Sequence, residues 1–427
     1  MTVENDDVGN RSTEFSPESL AIGIGSCDAD QPRAFVAFGR DAIDLSVIAA
    51  NGSLRGTGCP DGCFAQSNLN DFLAAGQEVW SKFRNRIAEV LTDVLTGSSN
   101  TKELSVAIVH QDQLTMHLPT MVGDFVDFYS SIHHATNLGR MFRPDSEPLL
   151  PNWRHIPIGY HGRSATLMPD KATIRRPHGI RLIDGAPVFG PSLSLDFELE
   201  VGFVVGPGNN IGEPINIEDA KDHIFGICLV NDWSARDIQA FEYQPLGPFL
   251  GKSFATSVSP WITSLAALEP YRIPSPHQDP IVAKYLSTQQ NWGLALELEV
   301  LLSSAKMRRE HIHPAVISTT RFDEMYWTPA QQLAHLPVNG AKTRPGDLFA
   351  SGTVSGSTPG SEGSLIELTH RGTRPLHLPD GSERSFLLDG DEVTLRGWAN
   401  NGSASIYLGE VSATVALQDH HSNIDIN

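Results

Sequence analysis

The first part of the chain shows short apolar runs separated by glycine and aspartate. These runs occupy residues 20–22, 34–38 and 42–45. Runs of this length and punctuation are typical of small antiparallel strands. The residues before them, 1–17, are polar and acidic and predict a flexible tail.

A longer pattern follows in residues 69–94, where apolar side chains recur at spacings of three and four. That spacing gathers them on one face of a helix. Asn68 and Asn70 are the candidates for its N-cap. We therefore predict a small β-barrel with an appended helix, ending near residue 119.

From about residue 120 the pattern changes to many short strand-like runs between loops rich in glycine and proline. The runs are residues 203–205, 227–230, 295–300 and 392–395. Many short strands with few helices favour a sandwich or roll over a doubly wound sheet. The predicted fold class is mainly β, of the α+β type. The predicted parts are a tail over 1–17, a small domain over 18–119 and a larger domain over 120–427.

Composition limits the partners of this chain. Of its 427 residues, 40% are hydrophobic and 19% charged, which is enough apolar material for a core. Acidic residues outnumber basic ones by 50 to 31, so the formal net charge is −19. Such a surface repels polyanions, and we expect neither a nucleic-acid nor a membrane partner. An anionic substrate would require local positive charge from arginine, lysine or a metal.

The sequence shows neither a membrane-spanning pattern nor a secretory signal pattern. It contains no apolar run of about 18 residues, and its first residues lack both a basic region and an apolar region. The cysteines are Cys27, Cys59, Cys63 and Cys228. Cys59 and Cys63 have no second pair at zinc-site spacing. We therefore expect a reducing compartment, with a cytoplasmic location.

The first segment with chemical potential is residues 123–137. It holds Asp127, Tyr129, His133 and His134. A carboxylate, a phenol and an imidazole can supply a metal ligand, a hydrogen-bond donor and a general base. Either histidine could be the base. The alternative is an ordinary polar surface loop.

The second segment is the strand-like run 195–205. Because side chains alternate along a strand, Glu198 and Glu200 point to the same face, roughly 7 Å apart at their Cα atoms. Two such carboxylates repel each other unless a positive charge lies between them, and hard divalent cations favour oxygen ligands. A solvent-facing strand is the alternative, and the same pattern recurs at Glu297 and Glu299.

The third segment, residues 227–254, predicts an apolar strand, a helix from about residue 234 and a loop presenting Lys252. Spacings of four, three and four place four polar residues on one helical face: Asp232, Arg236, Gln239 and Tyr243. An acid, a guanidinium, an amide and a phenol are unlike the Lys/Glu ladder of a solvated face. We therefore favour a functional role over a solvated face.

The fourth segment, residues 344–368, contains a loop of small residues in which Thr353 could donate its hydroxyl to a carboxylate. Glu367 follows, on a predicted strand, between apolar neighbours. A carboxylate in that setting is expected to be partly buried and to need a partner such as an imidazolium. The sequence GTVSG does not match the GxSxG motif, so a serine hydrolase is not supported.

Together these segments resemble the fumarylacetoacetate hydrolase family. The likeness runs from about residue 18 nearly to the end, and its most specific stretches are DFYSS, HATN, LLPNWRHIPIGYHGR, ELE, NDWSARDIQAFEYQPLGPFLGKSF and LFASGTVSG. The resemblance implies an SH3-like N-terminal barrel, a β-roll catalytic domain and a homodimer. It also implies hydrolysis of a carbon–carbon bond in 4-fumarylacetoacetate, a small anionic diketo acid of tyrosine and phenylalanine breakdown.

Residue by residue, the resemblance assigns roles to the candidates. Ca²⁺ would be held by Asp127, Glu198, Glu200 and Asp232, and Mg²⁺ would lie near Asp232, Lys252 and Thr256. The catalytic groups would be the base His134, its partner Glu367, and the oxyanion-stabilising Arg236, Gln239 and Lys252. Substrate would contact Tyr129, Arg143, Tyr160, Gln239, Tyr243 and Thr353.

Two other functions are compatible with parts of this pattern. An acylpyruvate hydrolase or oxaloacetate decarboxylase would share the metal carboxylates, but the long N-terminal domain and the 231–254 stretch argue against it. A calcium-binding protein without catalysis would leave His134, Glu367, Arg236 and Lys252 without a purpose.

Overall fold

A computed structural model of the chain describes residues 11–28, 30–97 and 104–416, so residues 1–10 of the predicted tail lie outside it. Its N-terminal strands are β1 (Ile22–Cys27), β2 (Arg33–Phe38), β3 (Asp41–Asp44), β4 (Ile108–His110) and β5 (Leu114–His117). Between β3 and β4 lie the helices Leu45–Ala50, Asn70–Ala74 and Gln77–Thr96.

The larger part of the chain is built mainly from strands. They are β6 (Phe125–Phe128), β7 (Gly159–His161), β8 (Leu167–Met168), β9 (Ala172–Ile174), β10 (His178–Ile183), β11 (Ala186–Pro191), β12 (Leu195–Asp196), β13 (Leu199–Val205), β14 (Ile224–Asn231), β15 (Ser234–Ala235), β16 (Thr256–Val258), β17 (Trp261–Ser264), β18 (Arg272–Ile273), β19 (Gly293–Leu294), β20 (Leu296–Ser303), β21 (Ala315–Arg321), β22 (Leu348–Ala350), β23 (Leu376–His377), β24 (Glu383–Arg384), β25 (Glu392–Asn400) and β26 (Ser405–Val415). The helices are Ile132–Phe142, Ala220–His223, Arg236–Glu242, Leu265–Leu268, Ala305–Arg309, Pro329–His335 and Leu365–Leu368.

Two large sheets organise these strands. The first runs in the order β4-β3-β2-β1-β17-β14-β13-β22-β6-β7, and the second in the order β21-β20-β25-β26-β9. The N-terminal strands join the first sheet where β1 pairs with β17, with Ile22 opposite Ile262. The prediction of a mainly β chain with a smaller N-terminal and a larger C-terminal part is confirmed. The boundary near residue 119 stays a prediction.

The central strands β13 and β14 are buried along their whole length. Leu199, Val201 and Phe203 pack into one apolar cluster, while Val204 and Val230 pack into another on the opposite face. The predicted alternation along β13 is therefore present, with both faces covered. Each such side chain contributes roughly 1.5–3 kcal/mol by leaving water. Glu200 is thus held in a rigid, water-excluded part of the sheet.

Three predicted elements differ in the structure. The predicted helix over 69–94 is two helices, because Gly76 lies at φ 80° and interrupts it. Asn68 accepts the backbone N–H of Asn70 at 3.1 Å, but neither asparagine is the N-cap, which is Leu69. The strand predicted around Glu367 is the short helix Leu365–Leu368.

The helix expected from about residue 234 begins at Arg236, because Ser234 and Ala235 form a strand that pairs with Leu195–Asp196. Asp232 therefore lies outside this helix and does not share its face. Among the described residues, no helix is both long and apolar enough to cross a membrane.

Candidate active site

The helix Ile132–Phe142 carries His134 in its first turn. The N-cap residue Ser131 holds the backbone of His134 in place. The hydroxyl of Ser131 accepts the His134 backbone N–H at 3.2 Å and donates to the carbonyl of Ser355 at 3.0 Å. The buried imidazole contacts Glu367, with 2.6 Å between Nδ1 and Oε2. A carboxylate on Nδ1 leaves Nε2 as the free nitrogen, which is the arrangement that a general base requires.

Glu367 is buried and fully engaged by donors. Oε2 accepts the hydroxyls of Ser364 at 2.7 Å and Ser355 at 3.0 Å, and Oε1 accepts the Asn137 amide at 2.9 Å. Burial alone would raise the pKa of Glu367, but the attraction of His134 and these hydrogen bonds outweigh it and lower the pKa to about 2. The carboxylate is therefore ionised and fixed in orientation.

This pKa shift gives a prediction for Glu367→Gln. Since the pKa lies below its ordinary value of 4.5, the ionised carboxylate stabilises the fold fully above that pH, and its contribution is lost as the pH falls toward 2. The difference in melting temperature between the parent protein and the variant should be largest near neutral pH and shrink between about pH 5 and pH 3. Calorimetry across that range measures it. A difference that does not change with pH would contradict an ionised Glu367.

The two adjacent histidines lie in different surroundings. Nε2 of His133 is 3.2 Å from Oε2 of Glu324, and its side chain is 32% exposed, against 3% for His134. His134 alone of the pair contacts Glu367 in the described structure. The partner of Glu367 is therefore His134, and its role as the base stays a prediction.

Three strands of the first sheet bring carboxylates together beside the dyad. Asp127 lies on β6, Glu200 on β13, and Asp232 directly after β14. One carboxylate oxygen from each of the three lies within 4.8 Å of the other two. Both Glu200 oxygens and Oδ1 of Asp127 are buried without a hydrogen-bond partner among the described residues. Burial and the neighbouring negative charges raise the pKa of Asp127 to about 7 and that of Glu200 well above its usual range. Unpaired oxygen donors in this arrangement fit a divalent cation.

Charge balance supports the same conclusion. Five buried carboxylates belong to this cluster: Asp127, Asp196, Glu198, Glu200 and Asp232. The buried cations paired with them are Arg163, Arg236 and Lys252. If every group is ionised, five negative charges meet three positive ones and leave two uncompensated. A divalent cation would balance them, and without it protonation of an acid is the alternative.

Lys252 and Arg163 hold Asp232 from two sides. The Lys252 ammonium is 2.6 Å from Oδ2 of Asp232 and also contacts Glu198, while Arg163 Nη1 is 2.5 Å from Oδ1. The Thr256 hydroxyl donates to the same Oδ1 at 2.7 Å. Burial would raise the pKa of Asp232, but these cations lower it well below its usual range. These contacts therefore favour the ionised form of Asp232.

Glu198, a fourth predicted metal ligand, faces the basic side chains of Arg236 and Lys252. It lies between β12 and β13, and its Oε1 is 2.7 Å from Nη1 of Arg236 and 4.0 Å from Nε2 of His134. Arg236 Nη1 also donates to the Gln239 amide oxygen at 3.2 Å, whereas Nη2 is buried without a partner in the described part of the chain. Arg236 and Gln239 are thus adjacent, as the sequence predicted.

The residues predicted to contact the substrate lie on several separate elements. Tyr129 packs edge-on against His134 with ring centroids 5.4 Å apart, and Tyr160 lies opposite Asp127 on the neighbouring strand. Tyr243 follows the Arg236–Glu242 helix at its C-cap. Arg143 ends the Ile132–Phe142 helix; its Nη2 donates to the carbonyl of Pro148, and its Nε is buried without a partner among the described residues.

Thr353 is buried in the loop after β22. Its neighbour Gly352 lies at φ 77°, and a Cβ there would be 2.2 Å from the carbonyl oxygen of Phe128. Only glycine lets this loop pass so close to β6 in that conformation. The glycine in LFASGTVSG therefore holds the Thr353 loop against the strand that carries Asp127.

Some residues of the site were absent from the sequence prediction. Arg163 bridges Asp127 and Asp232 and lies over the rings of Phe125 and Tyr160. Asp196 accepts Nε of Arg236 at 2.8 Å. The Glu367 partners Asn137, Ser355 and Ser364 were also absent. Arg163 ends the stretch LLPNWRHIPIGYHGR, which supplied the only available signal for it, whereas Asp196 carries no local signal apart from its place before ELE.

Comparison with known proteins assigns both parts of the chain to family profiles. Residues 125–416 match the profile of the fumarylacetoacetate (FAA) hydrolase C-terminal family, and residues 19–119 match that of the fumarylacetoacetase N-terminal family. Within the solved structures, that of an HpcE protein from Mycobacterium smegmatis covers 93% of this chain and 99% of its own, with a TM-score of 0.50 and 17% identity. That likeness concerns the fold alone.

Curated relatives match over nearly the whole chain. The fumarylacetoacetase of Rattus norvegicus is 44% identical over 407 residues, which is 94% of this chain and 96% of the relative. That of Arabidopsis thaliana is 43% identical over 414 residues, which is 96% of this chain and 97% of the relative. From both matched profiles and from relatives in an animal and a plant, we conclude that the chain belongs to the fumarylacetoacetate hydrolase family.

Proposed function

We propose that this protein is an enzyme that hydrolyses 4-fumarylacetoacetate to fumarate and acetoacetate, the last step of tyrosine and phenylalanine breakdown. The observation that carries the proposal is the buried His134–Glu367 pair lying beside a triad of carboxylates that fits a divalent cation. The fumarylacetoacetases related to this chain support the same substrate.

The dyad supplies the nucleophile. Neutral water is too weak a nucleophile to attack a ketone unaided. Nε2 of His134 therefore takes its proton, while Glu367 holds Nδ1–H and stabilises the imidazolium. The hydroxide oxygen bonds to the carbonyl carbon and gives a tetrahedral alkoxide. When the alkoxide collapses, the carbon–carbon bond breaks and its electron pair leaves as an enolate. His134 returns the proton to that enolate, which completes acetoacetate.

The alkoxide needs donors that already point at it. Arg236 is suited to this role because its Nη2 is buried without a partner in the described structure, and Gln239 lies beside it. Lys252 adds a third donor from the other side of Glu198. Preorganised donors of this kind act most strongly where water is excluded, as it is here.

The carboxylates would hold the cation. We propose Ca²⁺ at Asp127, Glu198, Glu200 and Asp232, and Mg²⁺ near Asp232, Lys252 and Thr256. A cation there would polarise the diketone oxygens and spread the charge of the leaving enolate. The ammonium of Lys252 has no lone pair, so only its carbonyl oxygen could contact a metal.

The remaining candidates would orient the substrate. We propose that Arg143 binds a terminal carboxylate, since a guanidinium recognises carboxylate geometry and its Nε is buried without a hydrogen-bond partner among the described residues. Tyr129, Tyr160, Tyr243 and Thr353 would donate hydroxyls to the other oxygens. Local cations would thus draw an anion into an acidic protein.

An absorbance assay tests this function directly. Purified protein is given fumarylacetoacetate, two simple acylpyruvates and oxaloacetate at equal concentration, with and without divalent metal. We expect metal-dependent loss of fumarylacetoacetate with a kcat/KM at least about a hundredfold above that for the others. A preference for an acylpyruvate or oxaloacetate would assign a different reaction, and calcium binding with no turnover of any substrate would exclude an enzyme.

We also propose that the protein is a homodimer, joined through the hairpin of β10 and β11. This two-stranded sheet pairs with no other described strand, and one of its faces exposes Ile180, Leu182 and Phe189. Exposed apolar side chains grouped on one face mark an interface. A second copy would cover this surface.

The combined change Leu182→Glu and Phe189→Glu should convert the dimer to a monomer, because it places charge at the centre of the apolar surface. Sedimentation velocity measures the mass. Ile211→Glu is the control, since Ile211 is 81% exposed outside the hairpin, and it should leave the dimer intact. A doubly substituted protein that stays dimeric would locate the interface elsewhere.

The proposed location is the cytoplasm. All four cysteines are free thiols in the structure, which is typical of a reducing compartment.

A further inference from the structure

Asp196 is fully buried at the end of β12, and among the described residues its side chain accepts hydrogen bonds from groups that belong to the site. Its Oδ2 accepts Nε of Arg236 at 2.8 Å and the backbone N–H of Ile366 at 3.0 Å, and its Oδ1 accepts the backbone N–H of Leu365 at 2.7 Å. Leu365 and Ile366 open the short helix that carries Glu367. One carboxylate therefore joins the proposed oxyanion donor to the partner of the base.

These contacts close a ring around the reacting region. Glu367 contacts His134 at 2.6 Å, Nε2 of His134 is 4.0 Å from Glu198, and Glu198 is 2.7 Å from Arg236. Asp196 completes the ring because it binds both Arg236 and the helix that carries Glu367. Without Asp196, the described contacts would connect the base and the oxyanion donor through Glu198, whose side chain also pairs with Lys252 and whose backbone bridges Ser364.

We propose that Asp196 is a positioning residue that sets the geometry of Arg236 relative to the His134–Glu367 dyad. The inference rests on the proposed hydrolysis. Asp196 does not touch the reacting atoms. It acts through Arg236, whose side chain it joins directly to the backbone of the Glu367 helix.

Asp196→Asn isolates this role because it changes shape very little. All three groups that face the carboxylate are donors, two on Oδ2 and one on Oδ1. Whichever way an asparagine is placed, its NH₂ group meets at least one N–H, and that contact is repulsive. One placement repels both Arg236 and the Ile366 N–H, and the other repels the Leu365 N–H, so the Glu367 helix moves relative to Arg236 in either case.

The test is a double-mutant cycle with Arg236→Gln, measured as kcat at saturating metal. Asp196→Asn should lower kcat by about ten- to a hundredfold, as expected of a small displacement of a catalytic group. In the Arg236→Gln background the same change should lower kcat by a clearly smaller factor, because the part of the loss that acts through Arg236 is already present. Multiplicative losses in the double variant, or a kcat near the parent value for Asp196→Asn, would overturn the proposal.

Asp391→Asn is the matched control. Asp391 is equally buried and accepts Nε of Arg384 at 2.7 Å and the backbone N–H of Leu388 at 2.8 Å, away from the site. It should lower the melting temperature comparably and leave kcat unchanged. An equal loss of kcat in this control would mean that Asp196 is structural only.

A proton NMR readout keeps the proposal testable without turnover. The Nδ1 proton of His134 in its 2.6 Å contact with Glu367 should shift or broaden in Asp196→Asn and stay unchanged in Asp391→Asn. An inactive parent protein would refute the proposed function, and this signal would still decide the role of Asp196: an unchanged resonance would refute it.

Discussion

Replacing His134 with alanine should lower kcat by about a thousandfold or more while the protein remains folded. Its Nε2 is the proposed acceptor of the water proton, and loss of a positioned base costs roughly 10²–10⁴ in rate. The substitution also leaves Glu367 without its imidazole partner, but Asn137, Ser355 and Ser364 still donate to that carboxylate. Stopped-flow absorbance with fumarylacetoacetate measures the rate, and calorimetry measures the melting temperature.

His133→Ala is the control for this prediction, because it is adjacent in sequence, differs in surroundings and pairs with Glu324 rather than with the dyad. We expect its kcat to stay within about threefold of the parent value. A large loss in His133→Ala together with an active His134→Ala would move the base by one position and refute the dyad.

The hydrophobic pattern predicted the fold where elements are long or regular. The alternation along β13 and the apolar face of 69–94 were both correct in kind, because each buries a repeating set of side chains. It failed where a single residue or a distant contact decides the conformation. Gly76 divides the helix through its positive φ, and the four-residue helix at Glu367 is too short to show a period.

Residue types in the site could be predicted, but not all of their connections. The carboxylates, the imidazole and the basic groups each stand out from their local sequence. The role of Asp196 does not, because its partners at Leu365 and Ile366 lie 169 and 170 residues away. Arg163 is similar: it meets Asp127 and Asp232 only after three strands have come together. Such connections depend on tertiary packing that a single sequence does not display.

Glu200→Gln should weaken divalent metal binding by at least about a hundredfold, since changes in groups that merely support a metal ligand already cost ten- to a hundredfold. Both Glu200 oxygens are buried and lack hydrogen-bond partners among the described residues, which fits the proposed role as metal ligands. An amide keeps the shape but loses the charge. Calorimetric titration of metal-free protein with Ca²⁺ and with Mg²⁺ measures the affinity, and turnover should fall in parallel.

The stability of the metal-free variant separates ligation from a structural role. Removing one buried carboxylate from beside Asp127 and Asp232 relieves repulsion, so in excess chelator Glu200→Gln should melt at or above the parent temperature. Glu299→Gln is the matched control, because Glu299 occupies the same place in a second ELE sequence but pairs with Arg396. It should leave metal affinity unchanged. A Glu200→Gln protein that binds metal normally, or that melts far below the parent in chelator, would show that this carboxylate supports the fold rather than the cation.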